Sequence, residues 1–449
     1  MGIMGLFNGI SDIASAFAGM GINNSAVRHI AEAEALGERK RLARTIKIVH
    51  RASLFLGILG AVVLAALSVP VSQLTFGDRT RHTAVAVLGL AVFFVVISNG
   101  QAALVQGFRR MGDLAKLNVF GALCGTLIGI PIVWYWREAG IVPLLVAVPA
   151  TSLITSWCFA RRIPVAAVEL RWRDVVVEAK ELFGLGLAFM ITGLMGAGVA
   201  FLNRVLISRA LGIEALGCYT AAYTLAGLYV GFILAAMGTD FFPRLSAVAS
   251  DNVAVNRMVN EQAEISLLLA VPGVLGTMVL APGVISLFYS GEFAPAGEVL
   301  RWQVLGVLGQ VISWPMAFIL LAKGSRRLFL GAEAAGHVVH VGLLWLGVHT
   351  WGLAGAGMAF VGLYLCVTVW ITLIVRRESG FRWSPLNIRL ALWLLPSAVV
   401  AFLATGFLPR LIGLIVGGAV TLACSWYCLR ALLKRIPPHR LGPLARWTT

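Results

Sequence analysis

Three arginines lie within or beside long apolar stretches of this chain of 449 residues. Arg204 and Arg209 interrupt one stretch near its end, and Arg28 closes another. A charge inside a membrane costs at least a few kcal/mol, and the guanidinium fork binds phosphate through paired hydrogen bonds. We therefore expect these arginines to bind an anionic ligand. The open alternatives are snorkelling to the outer headgroups for Arg204 and Arg209, and an anchor at the inner face for Arg28.

A second group of side chains suited to acid–base chemistry consists of one carboxylate and two imidazoles. Glu333, His337 and His340 are spaced by four and three residues, which places them on one face of a helix. Three interpretations remain open: polar lining of a cavity, a proton relay through histidines that titrate near neutrality, and interhelical packing. No Cys or further acid completes a set of four zinc ligands, so no metal site is expected.

The elements that position these residues are apolar segments. Hydrophobic residues make up 59% of the chain and charged residues 12%, with a mean hydropathy of +0.88. Segments of about 20 apolar residues cross a bilayer core. The sequence predicts an all-α polytopic membrane protein with about thirteen such segments, at 3–22, 52–76, 84–106, 118–136, 141–160, 183–207, 217–238, 265–289, 300–322, 329–349, 354–375, 390–409 and 411–429.

The basic residues are distributed unevenly between the loops. One side of the predicted membrane carries 29 of the 36 Lys and Arg residues. Lys and Arg mark cytoplasmic loops, so we expect a cytoplasmic C-terminus, and a nucleic-acid partner is not expected despite the net charge of +16.

The chain also repeats itself at an offset of 212 to 217 residues. The first copies are Ile97-Ser98, Arg109-Arg110 and Arg161-Arg162, and the second are Ile312-Ser313, Arg326-Arg327 and Arg376-Arg377. Such a repeat predicts two pseudo-symmetric helical lobes around a central cavity, the architecture of a transporter. We assign 1–160 to the N-terminal lobe, 161–182 to a cytoplasmic amphipathic linker, 183–375 to the C-terminal lobe, and 376–449 to two extra helices and a basic tail.

One helix of the repeat lacks its partner. Gly5 matches Gly217, which opens the second helix of the second lobe, so segment 183–207 has no counterpart in the first lobe. We expect the first helix of the first lobe to be missing from this chain, and the intact protein to have fourteen crossings. A natural protein of thirteen helices is the alternative.

Other features narrow the mechanism. The predicted outer loops are too short for a catalytic domain, and no GxxxxGK[ST] phosphate loop occurs, so neither an enzyme nor direct ATP drive is expected. No cofactor is expected either. Proline bends helices by removing a backbone donor, which makes Pro272, Pro282 and Pro315 hinge candidates, with static kinks as the alternative.

Three motifs resemble a known superfamily of exporters. They run from Gly5 to Glu32, from Gln106 to Val119, and from Leu202 to Tyr219, and the Gln-Gly-x-Arg-Arg-Met-x-Asp-Leu-Ala sequence of the second is the most specific. The chain resembles the polysaccharide flippase branch of the multidrug/oligosaccharidyl-lipid/polysaccharide superfamily, which has a MATE-like fold, and the O-antigen (Wzx-like) flippases in particular. The resemblance covers nearly the whole chain.

This resemblance implies a cargo and a mechanism. The cargo would be an undecaprenyl-diphosphate-linked oligosaccharide moved across the bacterial inner membrane by alternating access, with membrane lipids, a polysaccharide polymerase and its chain-length proteins as partners. Relatives often carry an aspartate before the basic residue of the 183–207 segment, where this chain has Asn203. An ion-coupling role at that position is therefore in doubt, and Asn203 is retained as a lining candidate.

Amide side chains recur in both lobes and suit hydrogen bonding to sugar hydroxyls, with interhelical packing as the competing interpretation. They are Gln101 and Gln106 in the first lobe and Gln303 and Gln310 in the second. The sequence thus predicts a flippase for lipid-linked oligosaccharides. The alternative is a multidrug or cation antiporter of the same fold, although the buried charges are mainly basic and favour an anionic cargo.

Overall fold

The computed structural model describes residues 1–108, 110–163, 172–236 and 241–435. Apart from short 3-10 turns at Arg137–Gly140 and Gly291–Phe293, the regular elements within these ranges are α-helices, which confirms the predicted fold class. They are α1 (Gly2–Gly19), α2 (Ile22–Ala35), α3 (Arg39–Ala66), α4 (Ser68–Phe76), α5 (His82–Gly107), α6 (Met111–Trp136), α7 (Ile141–Ala160), α8 (Trp172–Ala236), α9 (Phe242–Ala247), α10 (Asn252–Val279), α11 (Ala281–Phe288), α12 (Ala296–Ala322), α13 (Arg326–Ser379), α14 (Pro385–Phe407) and α15 (Arg410–Leu433).

The long helices match the predicted membrane segments. In the described part of the chain, nine helical stretches are long and apolar enough to cross a membrane, and some contain two predicted segments. Helix α8 is interrupted at Gly212 (φ 89°) and α13 at Gly352 (φ 60°). Both glycines lie between predicted segments, and they adopt a positive φ that residues with a Cβ rarely tolerate.

Two predicted segments are each divided into two helices. Segment 52–76 breaks at Leu67 and segment 265–289 breaks at Leu280. The sequence analysis marked no interruption in segment 52–76, which was wrong because Pro70 follows Leu67 closely. In segment 265–289 a bend was expected at Pro282, and the helix breaks two residues before it. A proline ring clashes with the carbonyl of the residue four positions earlier and lacks the N–H of the ladder. Pro282 therefore lies in the first turn of α11 rather than inside a helix.

The other two hinge candidates occupy helix interiors. Pro272 lies within α10 and Pro315 within α12, and both helices remain continuous across them. A hinge function at Pro272, Pro282 or Pro315 stays a prediction.

The order of helices confirms the internal repeat. Helices begin at Arg39, His82 and Met111, and their counterparts begin at Asn252, Ala296 and Arg326, which is 213, 214 and 215 positions later. Within the described residues, these offsets pair no helix of the first copy with the part of α8 that precedes Gly212 or with α14 and α15. That the first copy lacks a helix stays a prediction.

The predicted linker at 161–182 is only partly visible. Its residues 164–171 lie outside the described residues, and from Trp172 the backbone is helical and continues into the 183–207 segment. Its interfacial role stays a prediction.

The helices cluster into two compact units. One comprises Ile3–Val205, and the other comprises Met1–Gly2 with Leu206–Thr449. Each has its own apolar core, which includes Ile30, Val49 and Leu88 in the first unit and Phe241, Val259 and Phe381 in the second. The lobe boundaries predicted from sequence stay predictions.

The two extra helices attach to the second unit through buried polar contacts. On α12, Arg301 donates a hydrogen bond to the main-chain carbonyl of Phe402 on α14. At the end of α15, Arg435 forms an ion pair with Glu264, a carboxylate of α10 that is only 6% exposed. Burial of a charge is tolerated where a partner compensates it, so these contacts fix α14 and α15 against α10 and α12.

Large apolar side chains cover much of the outer surface. On α6, Trp134 is 85% exposed and Tyr135 is 80% exposed, and Trp351 is 60% exposed at the equivalent end of its helix segment. Trp and Tyr are enriched where a membrane meets water. This pattern supports insertion in a bilayer.

Candidate functional site

An ion pair links α1 to the first part of α8 inside the Ile3–Val205 unit. Arg204 Nη1 lies 3.3 Å from Asp12 Oδ2. The arginine side chain is 18% exposed, whereas the aspartate side chain is 55% exposed. A guanidinium in an apolar segment thus has a carboxylate partner, which compensates its charge.

The pair lies deep along both helices. Gly2 at the start of α1 packs directly against Ile213, which follows the break in α8. Asp12 is ten residues from Gly2, and Arg204 is nine residues from Ile213. At a rise of about 1.5 Å per residue, the pair lies roughly 14 Å along the helices from this end, well inside both of them.

Gly9 makes room for the guanidinium beside α1. A Cβ atom at Gly9 would lie 2.9 Å from Arg204 Nη1 and 2.9 Å from Phe201 Cδ2. Both distances are shorter than a van der Waals contact. The absence of a side chain at Gly9 therefore allows Arg204 to lie across the surface of α1.

A polar stripe continues from Asp12 along α1. Asn8, Asp12 and Ser15 recur at helical spacing, and α1 is not among the helices apolar enough to be recognised as a membrane span. The stripe leads into a cavity of about 140 Å³ whose polar lining is Ser15, Asn23, Ser53 and Asn99. Polar side chains thus line a path beside the ion pair.

Arg28 lies on α2, five residues after Asn23 of this cavity. Its Nε donates a hydrogen bond of 3.0 Å to Glu32 Oε1, and both side chains are exposed. This hydrogen bond, together with the arginine's charge, lowers the pKa of the Glu32 carboxyl from its ordinary value. Arg28 is therefore accessible at the predicted cytoplasmic end, where it can meet an anionic headgroup.

The glutamines of α5 occupy different environments. Gln101 is 7% exposed, and its amide oxygen accepts a hydrogen bond from the Ser156 hydroxyl on α7. Gln106 is half-buried near the end of α5. The contact of Gln101 matches the interhelical interpretation of that residue.

A larger cavity lies within the second unit. Its volume is about 390 Å³, and α12 and α13 form its walls. The Nε2 atom of His337 lies 3.9 Å from Glu333 Oε2 at the cavity wall. The aromatic residues of the lining are Trp314, Phe318, Phe329, Tyr364 and Trp370.

Only two members of the predicted triad line this cavity. His340 lies one turn further along α13, where it is 8% exposed and its ring centroid is 6.2 Å from that of Phe360. The helical spacing was predicted correctly, but neighbouring helices surround its third member. A carboxylate, an imidazole and aromatic faces can together hold a polar ring such as a sugar, because aromatic faces stack on its apolar side.

The two glutamines of α12 share a helix face with Trp314 but do not line this cavity. Gln303, Gln310 and Trp314 are spaced by seven and four residues, so they share one helix face. Gln303 is 1% exposed, and neither of its amide atoms has a hydrogen-bond partner among the described residues. Gln310 is partly buried. Unsatisfied amide groups are costly in an apolar interior, so this face is suited to a polar ligand.

The remaining candidates lie on α8. Asn203 is 4% exposed beside Arg204, and Arg209 is exposed three residues before the Gly212 break. Asp12 was not predicted as a site residue. The sequence does mark Asp12 as a candidate, because it is the only acidic residue of the apolar 3–22 segment.

Known proteins share both the sequence and the fold of this chain. The family described as "Polysaccharide biosynthesis protein" matches residues 1–298. The chain belongs to this polysaccharide biosynthesis protein family. The resemblance to polysaccharide flippases is thereby confirmed. Within the family, the chain is 23% identical to the lipid III flippase of Escherichia coli (strain K12) over 381 residues, which cover 81% of this chain and 87% of that protein.

Other relatives extend the comparison. Over 284 residues the chain is 23% identical to the teichuronic acid biosynthesis protein TuaB of Bacillus subtilis (strain 168), covering 61% of this chain and 57% of that protein. An inward-facing MATE multidrug transporter of the MOP superfamily superposes with a TM-score of 0.70 at 18% identity, covering 84% of this chain and 89% of the other. The lipid II flippase MurJ, in an inward closed conformation, gives 0.68 at 13% identity, covering 96% and 97%. These structures establish the fold of this family member.

Proposed function

We propose that this family member is a flippase for an undecaprenyl-diphosphate-linked oligosaccharide, an O-antigen unit or a related polysaccharide repeat. The observation that supports this proposal is Arg204, a largely covered guanidinium within an apolar helix that also carries a carboxylate partner from α1. A diphosphate is a bidentate acceptor for guanidinium groups. The relatives named as lipid III flippase and teichuronic acid biosynthesis protein point to the same class of cargo.

In this proposal, different residues bind the two polar parts of the cargo, the diphosphate and the oligosaccharide. Arg28 receives the diphosphate at the inner end of the first unit, and Arg204 holds it within the membrane segment, with Asn203 and Arg209 on the same helix. Gln303, Gln310, Glu333 and His337 in the second unit, together with Gln106 in the first, offer hydrogen bonds to sugar hydroxyls, and Trp314 offers an aromatic face. The isoprenoid tail stays in lipid, where the exposed apolar surface of the helices meets it.

Transport proceeds by alternating access across the bacterial inner membrane, with the C-terminus in the cytoplasm. The basic side of the helices sets this orientation, and a polysaccharide polymerase with its chain-length proteins receives the flipped product. Besides binding sugar, Glu333 and His337 provide a close pair of groups for a proton relay, whereas His340 does not line the same cavity.

A transport assay with a fluorescent undecaprenyl-diphosphate oligosaccharide in proteoliposomes tests the proposal. We expect Arg204→Ala to reduce flipping to background while the protein remains folded. Arg204→Lys restores only part of the rate, because lysine keeps the charge but loses the bidentate fork. Arg410→Ala, an exposed arginine at the start of α15, is the matched control. Normal flipping by the Arg204→Ala variant contradicts the proposed role of Arg204.

A second candidate function is antiport of organic cations. The cavity of the second unit favours it, because aromatic faces and one carboxylate attract a cation. The same assay with ethidium as cargo separates the two functions. Ethidium transport that depends on Glu333, without oligosaccharide flipping, selects the antiporter.

A further inference from the structure

The ion pair between Asp12 and Arg204 has two unequal members. Arg204 is largely covered, whereas the Asp12 side chain is 55% exposed. Among the described residues, the guanidinium makes this hydrogen bond through Nη1 alone. The Asp12 carboxylate is therefore the partner that can move away. The remaining N–H groups of the guanidinium can donate hydrogen bonds to a second anion.

An anionic headgroup and Asp12 compete for the same guanidinium. A diphosphate carries more charge than a carboxylate and offers paired oxygens to the fork. At contact distance, the Asp12 carboxylate and a phosphate repel each other in surroundings of low dielectric constant. Binding of the headgroup to Arg204 must therefore displace Asp12 or proceed against its charge.

We propose that Asp12 is an exchangeable counter-charge for Arg204 that weakens the binding of an isoprenoid diphosphate and promotes its release. This inference rests on the proposed function of Arg204. When the carrier is empty, Asp12 pairs with Arg204. When the diphosphate arrives, it takes the guanidinium, and Asp12 turns away.

The physical need for such a counter-charge follows from the transport cycle. A carrier that binds its cargo too tightly does not release it on the far side. An unpaired guanidinium within an apolar membrane segment is also costly during the return of the empty carrier. Re-pairing with Asp12 removes that charge from the apolar surroundings and opposes rebinding of the released diphosphate. Arg204 thus attracts the diphosphate, and Asp12 weakens this attraction enough to allow release.

Equilibrium binding of farnesyl diphosphate to the purified full chain in detergent tests this assignment, with farnesol as the uncharged probe. We expect Asp12→Asn to bind farnesyl diphosphate roughly tenfold more tightly, the size expected from removing one competing ion pair, and to release it more slowly. Asp12→Glu keeps the affinity close to that of the unmodified chain. Asp113→Asn, which removes the 3.9 Å pair with Arg110, is the matched control and leaves binding unchanged.

The outcomes separate the two proposals. If Arg204→Ala leaves farnesyl diphosphate binding unchanged, the proposed role of Arg204 is wrong. If Arg204→Ala weakens binding but Asp12→Asn leaves it unchanged or weaker, Asp12 only positions the arginine and the counter-charge inference is overturned. Asp12→Ser provides a second neutral variant should Asp12→Asn fail to fold, and it must also bind more tightly. Farnesol binding changes in none of these variants.

Discussion

Arg301 on α12 contacts both the ring and the main-chain carbonyl of Phe402 on α14. Its guanidinium carbon lies 4.6 Å from the centroid of the Phe402 ring, and Nη2 donates a hydrogen bond to the main-chain carbonyl of the same residue. Trp302 also packs against this residue, with its ring centroid 4.5 Å from that of Phe402. A basic residue near the predicted outer end of α12 thus attaches an extra helix to the repeat.

We expect Arg301→Ala to destabilise the attachment of α14. The loss of a cation–π contact and a hydrogen bond costs roughly 1–3 kcal/mol of unfolding free energy. Thermal unfolding in detergent measures the effect as a lower melting temperature. Arg410→Ala, an exposed arginine on α15, is the control and melts like the unmodified chain. An equal melting temperature for both variants contradicts the attachment role.

We expect Gly9→Val to displace the Arg204 guanidinium. Any Cβ at this position lies 2.9 Å from Arg204 Nη1, and a branched side chain extends further into the same space. The rate of flipping in proteoliposomes should fall at least about tenfold, as expected when a binding group is misplaced by about 1 Å. Gly418→Val, inside α15, meets no atom within 4 Å and serves as the control. Equal rates for both variants show that the position of Arg204 does not matter.

We expect Gly336→Leu to fill the cavity of the second unit. The nearest atom to a Cβ at Gly336 is Trp370 Cζ2 at 3.5 Å, so the larger side chain enters the space beside Glu333 and His337. Flipping of the oligosaccharide carrier should slow severalfold, whereas farnesyl diphosphate binding in the first unit should not change. Gly342→Leu has open space around its Cβ and controls for the change in helix propensity. Unimpaired flipping by Gly336→Leu argues against a sugar site in this cavity.

We expect the C-terminus to lie in the cytoplasm. Of two reporters fused after Thr449, the one that works only in the cytoplasm should therefore be active. Most Lys and Arg residues lie in loops on the side of the C-terminus, and such loops remain in the cytoplasm. Green fluorescent protein should fluoresce in this fusion, and alkaline phosphatase should be inactive. Phosphatase activity in this fusion contradicts the predicted orientation of the helices.

Much of the fold could be predicted from residue patterns alone. Apolar length identifies the membrane segments, and the breaks at Gly212 and Gly352 fall between predicted segments because glycine tolerates a positive φ. The repeat was also readable, because copies of one ancestral pattern begin helices at constant offsets. The break at Leu67 was missed, although Pro70 gives the local signal for it, whereas Pro282 was recognised as a bend point close to the break at Leu280.

The candidate site was predictable only in part. Glu333 and His337 were assigned to one helix face, because their spacing is a property of a single helix. The aromatic residues opposite them come from α12 and from the second part of α13, and no local spacing predicts which helices meet. The same applies to Gln101, whose partner Ser156 is 55 residues away.

The sequence by itself determined which segments are helical and apolar, where they break, and which of them carry charge, since these properties depend on neighbouring residues. Only the tertiary structure decided that Asp12 meets Arg204 across 192 residues of chain. The physical reason is that a charge buried in an apolar segment needs a compensating partner, but the choice of partner depends on how the helices pack. That packing is decided by contacts such as the one at Gly9, whose missing side chain lets the guanidinium reach the carboxylate.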